Sequence, residues 1–382
     1  MTPYATKRVL CSHGSLHICG SVNAAGDARI EPSGGSRPVD ETGERFPKRP
    51  PRPDGAMDEM TDATEAGTTE APALGASEAS ALTDRVIDNV EGVIVGKREV
   101  VEDVLVTVLA RGHLLIEDVP GVGKTTLAKA VARSFDASFK RVQFTPDLLP
   151  SDVTGVNVFN QRTDEFDFRP GPVFANFVLG DEINRAPPKT QSALLEAMEE
   201  RQVTIDGVTR TLPDPFCVIA TQNDVEPGQT YELPVAEVDR FTKKIRLGYP
   251  GTNEEARMLD RMVDDHAGHP VESTDPVASV EELRRARTTV AGVETTGPLR
   301  GYVARLATYT RQNATLGVSP RGSLALLRAA QARAVLNGRD YVVPDDVKRE
   351  ARTVLAHRIR TDSGGTSGAD VVDEALDTVS VE

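Results

Sequence analysis

Gly121-Val122-Gly123-Lys124-Thr125 follows a short apolar run, Leu114-Leu115-Ile116, and precedes a stretch with helical periodicity. The two glycines let successive main-chain N–H groups turn toward one point, and a helix starting there adds its partial positive end. That arrangement binds phosphate. Lys124 can bridge the β and γ phosphoryl groups of a nucleoside triphosphate, and the Thr125 hydroxyl can bind Mg²⁺. Val122 and Thr126 complete the nucleotide-contacting segment. Asp118 stands where the general G-x-x-x-x-G-K-[ST] pattern begins with glycine. The departure falls at the start of the loop, whereas the phosphate contacts come from its end. Asp also tolerates turn geometry. Its carboxylate should point away from the phosphates.

A second group of residues fits the same chemistry. "FVLGDE" ends an apolar run with Asp181 and Glu182, at the strand edge where open α/β sheets bind ligands. Neighbouring side chains on a strand point in different directions. Asp181 can therefore serve the Mg²⁺ shell while Glu182 faces the γ-phosphate and polarises a water for in-line attack. "VIATQND" closes a third run with Asn223, which can orient that water or touch the γ-phosphate, or can simply form a turn.

These residues require a sheet to hold them. "HLLIED" (113–118), "NFVLGDE" (176–182) and "FCVIATQN" (216–223) read as buried strands, and 82–91, 97–111 and 125–135 as helices. Continuously apolar strands with helices between them imply a mostly parallel sheet covered on both faces. From about 253 the chain reads as helical: 253–265, 279–289, 298–312, 320–337, 344–356 and a last acidic helix, "ADVVDEALDTV". Two hairpins are expected at 156–171 and 203–212, the latter turning at Asp206-Gly207. The expected organisation is a disordered extension over 1–80, an α/β nucleotide-binding core over 82–248 and a smaller all-helical domain over 253–380.

Composition narrows the function. The 382 residues carry a net charge of −14, from 44 basic and 58 acidic side chains. With no basic stripe to offset that excess, nucleic acid is not an expected partner. Residues 1–56 hold 8 basic and 6 acidic groups, so the remaining 326 carry −16. The acidic part opens at Met57, and Met57 or Met60 is the expected natural start. Three cysteines, Cys11, Cys19 and Cys217, are too few for a disulfide framework and fit a reducing compartment. Cys11 and Cys19 with His13 and His17 read as part of a polar tail, and Cys217 as buried. No signal-peptide core or membrane-length run appears, so a cytoplasmic location is expected.

The strings "GHLLIEDVPGVGKTTLAKA", "QFTPDLLPSDVTG", "FRPGPVFANFVLGDEINRAPPKTQSALLEAMEERQVTIDG", "YELPVAEVDRF" and "SPRGSLALLRAAQARAVLNGRDYVVPDDV" together resemble the MoxR family of AAA+ ATPases, over roughly 82–360. Asp at the first loop position is common in that family. The resemblance implies an AAA+ core followed by a helical lid, with ATP and Mg²⁺ in the crevice between them. Val95 and Gly96 match the adenine pocket, although Lys97 stands where the family often has Gln. Asn223 matches sensor 1, followed by Asp224 where Pro is frequent. Arg240 matches the arginine finger that serves a neighbouring subunit, and Arg321 matches sensor 2 on the lid. On residue type alone, both arginines read as surface ion-pairing groups.

The resemblance further implies a homo-oligomeric ring, a hexamer in the first instance. The ring would remodel or mature protein complexes or insert metal, often with partners carrying von Willebrand factor A domains. In that picture hydrolysis shifts the lid against the core. The alternatives are the motor subunit of a magnesium or cobalt chelatase, which shares most of these motifs, and a nucleic-acid motor, which the charge disfavours. A GTPase would need an N/T-K-x-D motif, and none is present.

Overall fold

The computed structural model describes residues 72–223, 231–264, 274–362 and 365–382, without the side chains of 261–264. The readings made for Cys11, His13, His17, Cys19, the start at Met57 and Asp224 fall outside the described residues. So does the extension before residue 72.

Five strands build the central sheet: β1 (Leu114–Glu117), β2 (Phe139–Gln143), β5 (Phe177–Asp181), β8 (Cys217–Gln222) and β9 (Lys243–Ile245). Their order is β2-β5-β8-β1-β9, and every neighbouring pair is parallel. Alternate residues of β1, β5 and β8 enter opposite cores. Leu114, Ile116, Leu179 and Ile219 join one hydrophobic cluster; Leu115, Val178, Val218 and Ala220 join the other. The two-residue repeat of a strand thus produces a sheet buried on both faces, and hence the uninterrupted apolar runs in the sequence. Two antiparallel hairpins flank it: β3 (Gly155–Asn160) with β4 (Glu165–Pro170), and β6 (Gln202–Ile205) with β7 (Val208–Thr211).

Helices α1 (Ala76–Glu91), α2 (Arg98–Leu109) and α3 (Lys124–Ser134) cover the first face, while α4 (Pro150–Thr154) and α5 (Pro188–Glu200) contribute to the second. The short α6 (Val235–Val238) precedes β9, and α7 (Thr252–Asp264) follows it. The chain ends in α8 (Val280–Ala291), α9 (Gly297–Gln312), α10 (Pro320–Leu336), α11 (Pro344–Leu355) and α12 (Gly368–Thr378). This helical region shares the first core: Leu283, Tyr302, Leu326 and Val354 belong to the same cluster as Val86 and Leu105.

One expectation needs correction. Helix α1 starts at Ala76, inside the stretch expected to be disordered. The Glu78 carboxylate accepts a hydrogen bond from the Gly75 amide at 3.0 Å, and Ala79 and Leu82 are buried. A composition of small and acidic residues hid the apolar face.

An ionic network joins the sheet to the helical region. Lys243 on β9, fully buried, pairs with Asp103 of α2 and Glu350 of α11, both at 2.5 Å. Arg333 of α10 pairs with Glu350 at 2.7 Å and with Glu102 of α2 at 2.6 Å. Two buried cations and a buried carboxylate thus bind three helices to one strand.

Cys217 is buried, and burial pushes its thiol up to about 12, so it stays protonated and inert. Two histidines are buried as well. The Val218 amide donates to His113 Nδ1 at 3.0 Å, which leaves Nε2–H to donate to the Met198 carbonyl at 3.1 Å. Burial lowers His113 from 6.5 to about 3. His357 is also held well below its ordinary value, first by burial and then by the Arg358 charge. The unfolded chain therefore binds protons below pH 6.5 that the folded chain refuses. The stability contributed by these neutral rings is complete above that pH and is lost progressively as pH falls below it, for His113 down to about 3. Urea midpoints measured from pH 7 to 5 should decline, by up to about 1.4 kcal/mol per pH unit for each histidine. His113→Asn should flatten the decline; an unchanged slope would remove His113 as its source.

Candidate nucleotide site

The loop after β1 takes its shape from its glycines. Gly121 and Gly123 adopt φ of 87° and 94°, the left-handed region that L side chains disfavour. A Cβ added at Gly121 would meet nothing within 4 Å, so the constraint there is conformational and not steric. Gly123 is the N-cap of α3, and Lys124 opens the helix. The Lys124 Nζ donates to the Asp118 and Val119 carbonyls at 2.7 and 3.2 Å and to Asn223 Oδ1 at 3.1 Å.

The Asp118 carboxylate does face away from the loop's phosphate side. Its Oδ2 accepts the Leu247 and Gly248 amides, each at 2.7 Å, and its Oδ1 accepts the Val119 amide at 2.8 Å. Glycine could not make this tie. Asp118 fixes the start of the loop to the chain leaving β9.

Strands β5 and β8 bring their C-terminal ends to the same place. A cavity of about 370 Å³ is lined by Gly121, Gly123, Lys124, Thr125, Thr126, Asp181, Glu182 and Asn223. Eight of the sequence-selected residues thus come together. Val122 is packed against the first core instead. Asn223 links two of the eight: beside its bond to Lys124, its Nδ2 donates to Glu182 Oε1 at 2.5 Å. Glu182 has φ 57°, a conformation that costs a non-glycine residue energy and gathers at functional sites. The Thr221 hydroxyl accepts the Glu182 amide at 2.9 Å and donates to Asp181 Oδ1 at 2.6 Å.

Three residues of the site escaped the sequence reading. Arg141 and Gln143 line the cavity from β2. Arg141 Nη2 lies 2.6 Å from Asp181 Oδ2, and Gln143 donates to Glu182 Oε2 at 2.7 Å. Thr221 is the third. Arg185, just after Glu182 in the chain, donates to Glu182 Oε2 at 2.9 Å. The available signal was the two-residue spacing of Arg141 and Gln143, which on a strand puts both side chains on one face.

The Thr125 hydroxyl and the Asp181 carboxylate line one cavity, and no group of three or more acidic, His or Cys ligands occurs among the described residues. A hydroxyl and one carboxylate beside a phosphate loop suit Mg²⁺, which keeps several waters and is held partly by substrate phosphates.

Val95 is buried, and Gly96 has φ 71°. Ile94 lies 3.8 Å from where a Gly123 Cβ would stand, so this segment passes directly beside the loop. A Cβ at Gly96 would lie 2.0 Å from Glu254 Oε1 of α7. Lys97 donates to the Tyr249 carbonyl at 3.0 Å and helps close this side.

Arg240 and Arg321 lie elsewhere. Both line a second cavity of about 260 Å³, and both pair with Glu199 of α5, Arg240 at 3.2 Å. Arg321 therefore does not line the loop cavity of its own chain, as the expected crevice between core and lid would have it. Asp239 fixes the placement. Its carboxylate accepts the hydroxyl of Ser319, the N-cap of α10, at 2.9 Å and Arg358 Nε at 2.7 Å. The loop carrying Arg240 and the helix carrying Arg321 are thereby joined.

Comparison with known proteins agrees with this geometry. Residues 113–243 match the family model described as ATPase family associated with various cellular activities (AAA), and residues 306–375 match the AAA lid domain. Protein YeaC of Bacillus subtilis is 51% identical over 280 residues, covering 73% of this chain and 87% of that protein. Chaperone MoxR1 of Mycobacterium tuberculosis is 43% identical over 304 residues, covering 76% and 79%. A crystal structure from Cytophaga hutchinsonii superposes with a TM-score of 0.74 at 37% identity, covering 80% of this chain and 96% of that one. No helix among the described residues is long and apolar enough to cross a membrane. The chain belongs to the MoxR family of AAA+ ATPases.

Proposed function

We propose that this chain hydrolyses ATP to ADP and phosphate in sites shared between subunits of a homo-oligomeric ring, and uses the cycle to remodel protein clients. The observation carrying this reading is the hydrogen-bonded chain Lys124–Asn223–Glu182 inside one cavity. The loop amides and Lys124 hold the β and γ phosphoryl groups. Glu182 polarises the attacking water, and Asn223 keeps that carboxylate in register with Lys124. Thr125 and Asp181 would hold Mg²⁺, which would supply positive charge beside the phosphoryl oxygens. Arg240 and Arg321, away from their own loop, serve the phosphate bound by the adjacent subunit, where two guanidiniums can grip phosphate oxygens at several points.

The printed name of the Mycobacterium tuberculosis relative, a chaperone, supports protein clients as the load. Proteins with von Willebrand factor A domains are the first partners to test, and the cytoplasm is the compartment this reading implies.

Binding and turnover test the proposal together. Purified chain should release phosphate from Mg-ATP with a specific rate that rises as subunits assemble. Lys124→Ala should weaken Mg-ATP binding by roughly 10- to 100-fold, the value of one charge-assisted contact. Wild-type affinity in that variant would contradict the loop assignment, and no phosphate release by the assembled chain would end the ATPase reading.

A further inference from the structure

Six arginines line the cavity that holds Arg240 and Arg321, and only two carboxylates, Glu199 and Asp239, line it with them. Asp239 is already committed to Arg358 and Ser319. Among the described residues Glu199 pairs with both Arg240 and Arg321, one carboxylate oxygen to each: Oε2 to Arg240 Nε at 3.2 Å, Oε1 to Arg321 Nη2. The two arginines come from different parts of the fold, the loop after α6 and the first turn of α10, while Glu199 comes from the last turn of α5. In each arginine the closest contact uses a single nitrogen, so further N–H donors of the planar fork remain available to an anion. All three side chains are only partly buried, so an incoming phosphate can reach them.

Without Glu199, Arg240 and Arg321 would share the cavity with Arg111, Arg201 and Arg328, and its remaining carboxylate, Asp239, is already held by Arg358 and Ser319. Like charges at this range separate. We propose that Glu199 is a positioning residue: it bridges Arg240 and Arg321 so that both guanidiniums arrive together at the γ-phosphate of the adjacent subunit. The inference rests on the shared-site reading above and adds a residue to it. Glu199 does not touch the substrate; it acts through the two cations. Its bridge is exposed enough that it contributes little to folding, so its effect should appear in turnover.

The test uses the assembled full chain. Glu199→Gln should lower kcat by roughly 10- to 100-fold, the scale of a misplaced catalytic group, and leave KM for Mg-ATP within about twofold. Glu199→Asp should recover part of the loss. The decisive readout is a mixture. Glu182→Gln subunits lack hydrolysis at their own loop but present an intact arginine face. Added in excess, they should raise phosphate release per Glu199→Gln subunit several-fold, because each intact loop then meets a correctly bridged pair of arginines. A defect in the Glu199→Gln subunit's own loop could not be rescued in this way.

Normal kcat in Glu199→Gln, no rise in the mixture, or loss of assembly by native mass spectrometry would each overturn the assignment. Arg240→Ala separates the two levels. If that variant turns over normally, the shared-site reading fails. If it is inactive while Glu199→Gln is normal, only the bridging role fails.

Discussion

Arg240→Ala should reduce phosphate release by the assembled chain by roughly 10³- to 10⁵-fold, the range measured for arginine fingers in other NTPases. Mg-ATP affinity of the isolated subunit should stay unchanged. The combination follows from placement: Arg240 lines the cavity around Glu199 and not the one around Lys124. Removing it therefore takes nothing from nucleotide capture within the chain. On the shared-site proposal, what would be lost is a cation delivered by the adjacent subunit to charge that grows in the transition state, and such interactions raise kcat without tightening ground-state binding. Mixing Arg240→Ala with Glu182→Gln should recover part of the activity, because some boundaries then combine an intact loop with an intact arginine face. Equal inactivity at every mixing ratio would argue for self-contained sites.

Lys243→Met should destabilise the folded chain by roughly 3–5 kcal/mol, the cost of removing one partner from a buried ion pair. Its ammonium is the contact that Glu350 Oε2 and Asp103 Oδ1 share, each at 2.5 Å, and Lys243 and Glu350 are fully buried. Without it, Arg333 remains as a partner for Glu350 at 2.7 Å, but two carboxylates stay in low dielectric with one cation fewer. The measurement is the urea midpoint and slope. Glu350→Gln introduced into Lys243→Met should restore part of the loss, since it removes the stranded charge. A single variant as stable as wild type would mean the network is neutral to the fold.

The sequence made the central machinery legible because its signals are local. An apolar strand, two glycines, a lysine and a helix announce a phosphate loop without reference to anything distant. "FVLGDE" and "VIATQND" could be placed because strand ends of an α/β sheet face ligands as a rule. The elements missed have physical reasons. β9 is three residues long, and its Lys243 is buried by partners 107 and 140 residues away, which no local pattern reveals. β2 lies at the sheet's edge with Lys140 and Arg141 among its five residues, so its apolar content is too low to stand out. The start of α1 hid in an alanine-rich acidic segment. Arg240 and Arg321 were found only through the family resemblance. Residue type suggested surface ion pairs, which is what each forms with Glu199; nothing in the sequence indicated that both share one carboxylate.

Asp239 and Lys243 sit four residues apart and fasten the helical region to the sheet at two points, one polar and partly open, one sealed. Two such anchors within so short a span resist a swing of the helical region on the strand that carries it. In the ring proposed above, the compliant seam would lie where one molecule meets the next. A stroke driven by phosphate departure would then pass around that circle as a rotation of stiff blocks, each displacing its neighbour.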